Sequence, residues 1–117
     1  HVLAAMGKPD VSSLLRFKEE FDAASRACGK KQFLTYYFIA AHPGCTEADM
    51  RALRRFATRH LKLSPEQVQI FTPTPLTAAT AMYYTGLSPE TGKPVFVERG
   101  LGGKQRQKDI LTGRRGA

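Results

Sequence analysis

A run of large apolar residues, FIAA (38–41), stops on His42-Pro43-Gly44-Cys45, and a charged segment, TEADMRAL (46–53), follows at once. A thiol near a helix N-terminus, with an imidazole three residues before it, has two features that lower a thiol pKa. Cys45 and Arg51 are also separated by five residues, the spacing of a cysteine-phosphatase loop. Such a loop holds its dianion with glycine-rich backbone amides in a positive field. The five residues here are TEADM, with two carboxylates and no glycine, so a dianion would be repelled and the phosphatase reading fails. A thiol hydrolase needs a base oriented by a third group, and no residue is marked for that task. His42 and Cys45 are two ligands, too few for a tetrahedral metal site. No catalytic and no metal-ligating residue is assigned.

The elements around this turn give it another meaning. Asp10 is placed to cap a helix over 10–28, with Leu14, Phe17, Phe21, Ala24 and Cys28 as its apolar stripe and Gly29 as its stop. Cys28 then reads as a small core residue. Residues 33–41 are almost continuously apolar and aromatic, which predicts a strand covered on both faces, as in a parallel sheet between helices. Thr46 and Asp49 form a capping-box pair for a helix over 46–62. Met50, Leu53, Phe56, Ala57, His60 and Leu61 mark its inner side, and Arg51, Arg54, Arg55 and Arg59 its outer side. A second strand is expected at 67–72, then a helix over 75–85 capped by Thr74 with Pro75 at its first position. Tyr83 and Tyr84 read as packing residues. VFVER (95–99) predicts a short strand, GLGG (100–103) a flexible link, and 104–111 a last helix before a fraying TGRRGA end. Strand, helix, strand is a βαβ unit, so the two strands should be parallel with a right-handed crossover. The fold class is α/β.

In a parallel α/β sheet, ligands bind beyond the carboxyl ends of the strands. HPG follows the first strand and TPTP (72–75) the second, so both stiff turns fall at equivalent ends. Gly44 allows close backbone approach and the prolines fix the turns. A loop shaped towards a ligand fits these residues better than a catalytic thiol does.

The 117 residues suit one modest domain. Lys plus Arg is 18 against 10 for Asp plus Glu, a net charge of +8. Residues 99–117 hold Arg99, Lys104, Arg106, Lys108, Arg114 and Arg115 against Asp109, so +5 of the surplus lies there. A basic tail of this kind can bind nucleic acid or acidic partners. No apolar run approaches the ~20 residues of a membrane span, and no membrane association is expected. Cys28 and Cys45 are not spaced as a disulfide framework; they suit a reducing compartment, and a cytoplasmic location is expected. The opening HVLAAMG reads as the tail of a helix already under way, so a fragment of a longer protein is expected.

Three stretches, HVLAAMGKP, KKQFLTYYFIAAHPGCTEADM and PEQVQIFTPTPLTAATAMYYTGLSPETGKPVFVER, closely resemble the carboxyl-terminal half of the YgiQ family of uncharacterised radical S-adenosylmethionine (SAM) proteins. The resemblance covers about residues 1–111. It implies that 1–98 form the last strands and helices of a (β/α) barrel, with 99–117 a basic tail holding at most a short helix before a disordered end. In the parent, a Cys-x3-Cys-x2-Cys motif on earlier strands would hold a [4Fe–4S] cluster that cleaves SAM to a 5′-deoxyadenosyl radical. The present chain has no such motif and should hold no cofactor alone. The resemblance assigns part of the SAM adenosine pocket to His42, Pro43, Gly44, Thr46, Phe71, Thr72 and Pro73, through backbone and shape contacts. The implied partners are the N-terminal remainder of the barrel and an unknown substrate. The rival reading is a nucleic-acid-binding module without catalysis that uses the basic tail.

Overall fold

A computed structural model describes residues 1–114; Arg115, Gly116 and Ala117, the end of the expected frayed tail, lie outside the described residues. The element order is α1 (Val2–Ala5), α2 (Val11–Ala27), β1 (Phe38–Ala40), α3 (Glu47–Phe56) continued by a π-helical turn (Ala57–Leu61), β2 (Val68–Ile70), α4 (Ala78–Thr85) and α5 (Leu101–Thr112). β1 and β2 pair in parallel, with Phe38 opposite Val68, Ile39 opposite Gln69 and Ala40 opposite Ile70. The α/β class and the parallel βαβ unit are therefore as the sequence predicts.

Local signals account for the helix starts. Asp10 accepts the Ser12 backbone N–H at 2.8 Å and caps α2. At α3 the capping box is complete: Thr46 Oγ1 accepts the Asp49 N–H at 3.3 Å, and Asp49 Oδ2 accepts the Thr46 N–H at 2.8 Å. Glu47, in the first turn of α3, ties Arg51 at 3.2 Å and Arg106 of α5 at 3.1 Å.

Several expectations give way where partners are long-range. The first strand is three residues long rather than 33–41, and Phe33 and Tyr37 are exposed. A strand exists only where another pairs with it, and β2 offers three residues. On α2 the expected stripe is buried only in part: Phe17 and Cys28 are exposed, while Leu14 packs on the core together with Leu15. Cys28 is thus a surface residue at the helix end. His60 is exposed as well, because the π-helical turn shifts the register of the inner stripe, which continues through Ala57 and Leu61. The helix expected over 75–85 begins at Ala78. Leu76 takes a left-handed φ of 64°, which breaks any helix from Pro75, and Thr77 rather than Thr74 caps, accepting the Thr80 N–H at 3.2 Å. VFVER forms no strand. It runs over the 42–45 turn instead, where the Gly44 N–H donates to the Phe96 carbonyl at 2.7 Å.

GLGG is the first turn of α5 rather than a link. The Glu98 carboxylate accepts the Gly100 N–H at 3.1 Å and lies against Gly103, where no side chain could fit without moving it. From this start, α5 lays Gly103, Gln107 and Leu111 into the interior. Leu111 joins Phe38, Met50, Leu61 and Val68 in the core. Gln107 is wholly buried. Its Oε1 accepts the Ala41 N–H at 2.9 Å and its Nε2 donates to the Cys45 carbonyl at 3.0 Å. One amide thus closes both ends of the turn after β1.

Gln107→Leu would leave two buried backbone groups unpaired, each costing ~1–3 kcal/mol. Urea unfolding should show Gln107→Leu less stable by about 2–6 kcal/mol in total, and Gln107→Glu, which sets a buried carboxylate against the Cys45 carbonyl, destabilised at least as much at pH 7.

Candidate functional site

The carboxyl ends of β1 and β2 meet through two rings. β1 is followed by Ala41 at φ 59°, a left-handed residue that turns the chain. His42 then enters the interior at 4% exposure. Its Nδ1–H donates to the Pro43 carbonyl at 2.9 Å. Its ring meets Phe71, the first residue after β2, edge to face at a centroid distance of 5.1 Å. The Phe71 N–H donates to the Ala40 carbonyl at 2.8 Å, which extends the strand pairing to this point. A row of rings continues outward from Phe71 to Tyr83 at 5.9 Å and from Tyr83 to Tyr84 at 5.4 Å. Arg99 and Lys104 lie over Tyr83 at 5.2 and 5.0 Å, and Lys104 Nζ donates to the Tyr83 hydroxyl at 2.9 Å.

Beside these rings lies a cleft of about 730 Å³. Ile39, His42, Phe71 and Met82 supply its apolar wall; Thr77, Ser88 and Glu90 add polar groups. Of the seven residues singled out in sequence, His42 and Phe71 line it. Pro43 and Gly44 are buried behind them, Thr46 caps α3, Thr72 is exposed and Pro73 half-buried. Gly44 has φ +88°, the left-handed conformation that favours glycine, and a Cβ there would stand 3.4 Å from Val95. Its N–H is taken by Phe96, and its carbonyl faces His1 Nε2 at 3.2 Å. The backbone of this turn is thus engaged within the chain, and the cleft presents faces of side chains.

Cys45 is fully buried, and burial first, then the Asp49 carboxylate, pushes its thiol up to about 12. The helix N-terminus and His42 do not offset that, so Cys45 is a packed thiol and no nucleophile. Burial likewise pulls His42 below its usual value. Among the described residues no three His, Cys, Asp or Glu side chains cluster as a metal site, and no helix is long and apolar enough to cross a membrane.

The sequence reading missed Gln107 and the 95–97 cover over Gly44. The first had a signal: Gly103, Gln107, Ile110 and Leu111 recur at three- and four-residue steps, the mark of one helix face. The second had none, since Val95 and Phe96 meet the turn across about fifty residues.

Two consequences can be measured. In the native chain a thiol reagent should label Cys28 quickly and Cys45 only after denaturant is added. Stability should also fall below pH 6.5. A histidine with a depressed folded pKa takes up its proton more readily when unfolded, so its contribution is present above 6.5 and lost as pH falls towards the folded value. Unfolding free energies for the native chain and His42→Gln, measured from pH 8 to 5, should show that slope in the native chain alone.

A family described as a domain of unknown function, DUF3362, matches residues 66–113. A UPF0313 protein of Fusobacterium nucleatum is 54% identical over 114 residues, 97% of this chain and 20% of that protein. UPF0313 proteins of Thermotoga maritima and Geobacter sulfurreducens are 44% and 49% identical over 92% and 91% of the chain, and 19% and 17% of their own lengths. The chain thus spans about a fifth of the length of the curated relatives it matches. No solved structure matches it. Near-complete coverage of this chain at such identity, by proteins of one name, means that it belongs to the UPF0313 family, which is the YgiQ family.

Proposed function

We propose that this chain is the closing segment of a radical SAM barrel, and that the cleft beside His42 and Phe71 is part of the wall against which the SAM adenosine lies. The observation that carries the reading is the meeting of those two rings, 5.1 Å apart, at the carboxyl ends of two parallel strands. That is where α/β sheets place ligands. The residues fit an adenosine by shape: Phe71, Ile39 and Met82 offer apolar contact, and Thr77 and Ser88 can exchange hydrogen bonds with ribose or ring nitrogens. Pro43 and Gly44 would act from behind by fixing the His42 ring.

A [4Fe–4S] cluster does not fit this chain. Cys28 is exposed at the end of α2, and Cys45 is a buried, neutral thiol, whereas cluster iron is held by thiolates. SAM, when bound in the whole protein, supplies the radical chemistry. The part of this chain is to orient the adenosine and exclude water from one side of it. The remainder of the barrel is the partner that completes the pocket and meets the substrate.

An isolated wall binds weakly, because ordering costs are set against few contacts. Titration of the isotopically labelled chain with SAM should give small amide shifts near 39–42, 71–74 and 77–82 at millimolar ligand, and none in Phe71→Ala. Micromolar binding would mean a complete site in this chain and would overturn the fragment reading. Shifts confined to other residues would overturn the assignment of the wall.

A further inference from the structure

The rival reading sets nucleic-acid binding on the basic tail, where three of the described cations, Arg99, Lys104 and Arg106, have partners within the chain. Lys104 is held on Tyr83, and Arg106 pairs with Glu47 at 3.1 Å. A cluster of cations without a carboxylate partner among the described residues lies elsewhere, at the carboxyl end of α3. There the helix widens: the Lys62 N–H donates to the Ala57 carbonyl, five residues back, and Lys62 then leaves at a left-handed φ of 56°. Arg54 and Arg55 end α3, and Arg59 and His60 lie in the π-helical turn that continues it. Together with Phe56 and Thr58 these residues line a groove of about 480 Å³.

Among the described residues no carboxylate pairs with Arg54, Arg55 or Arg59. The carboxylates of α3, Glu47 and Asp49, are at its opposite end. Arg54 is braced from α5, its Nη1 donating to the Ile110 carbonyl at 3.4 Å. Like charges at such spacing repel one another, and an anion placed among them would relieve that repulsion. The groove also has a ring pair, Phe56 half-buried and His60 exposed, with centroids 5.0 Å apart. Positive charge along a groove, interrupted by an aromatic face, is how proteins hold single strands: phosphates meet the cations and a base stacks on the ring.

We propose that the groove lined by Arg54, Arg55, Phe56, Arg59 and His60 is a docking surface for single-stranded nucleic acid. The arginines take phosphates, and the exposed face of His60, backed by Phe56, takes a base. A duplex hides its base faces and would leave the ring pair unused. An acidic peptide would use the arginines and not the rings. The surface is distinct from the cleft at the strand ends and does not depend on the SAM reading.

Fluorescence anisotropy of a labelled single-stranded oligouridylate with the full chain, from 50 to 300 mM KCl, tests this. Three phosphate contacts to a single strand predict a slope of log affinity on log salt of about −2. Arg55→Gln with Arg59→Gln, both exposed and unpaired among the described residues, should reduce the slope by about 1.4, two contacts at ~0.7 each, with an unchanged circular dichroism spectrum. His60→Ala should weaken single-strand binding several-fold and leave the slope unaltered. Three outcomes would overturn the proposal: binding unchanged in the double arginine variant, binding lost instead in Lys108→Gln with Arg114→Gln, or polyglutamate competing as well as unlabelled oligouridylate does.

Discussion

The interior depends on the side chain of Gln107. The strand-to-helix turn at 41–45 has to enter the core to bring His42 against Phe71, and doing so removes the Ala41 N–H and the Cys45 carbonyl from water. Left unpaired, each would cost ~1–3 kcal/mol. A neutral amide has both a donor and an acceptor, so one residue answers both groups. It arrives from α5, which for that reason packs on α3 and the sheet. The left-handed Ala41, a conformation that costs an L-residue ~1–2 kcal/mol, is held in the same way. Cys45 is sealed beneath, which explains why a thiol with features of a nucleophile stays neutral.

What was legible in the sequence was local. A capping box is decided by residues three apart, so Thr46 and Asp49 announced α3 correctly. The apolar content of 33–41 and 67–72 marked two strands and their parallel order. Their lengths were not legible, because each strand extends only as far as its partner does. The Thr74 and Thr77 caps were confused because Pro75 favours a helix start, whereas the turn at Leu76 overrode it. Gln107 sits in KQRQKDILT, where an amide looks like any other surface residue until the spacing of Gly103 and Leu111 is weighed with it. The roof over Gly44 joins residues far apart in sequence, and no periodicity reports such a contact.

The charge distribution follows from the same packing. Composition shows a surplus without saying where it is free. Glu47 pairs with one arginine of its own helix and one of α5, so it joins those helices and its single negative charge offsets one of the two cations. The Tyr83 ring takes up Lys104 on the far side. The arginines at the end of α3 have no such partner among the described residues.

The Gln107 bridge also bears on the order of events during synthesis. Both strands and α3 leave the ribosome before α5 does. Until residue 107 emerges, the two polar ends of the 41–45 turn have water as their partner, and burying them would be unfavourable. The bonds that close the turn span 66 and 62 residues of chain, so their loop-closure entropy must be met in one late step. The turn and α5 therefore become native together. A nascent chain halted before that point would hold a helix and a few strand residues around a wet, open centre, with its apolar rings available to a chaperone.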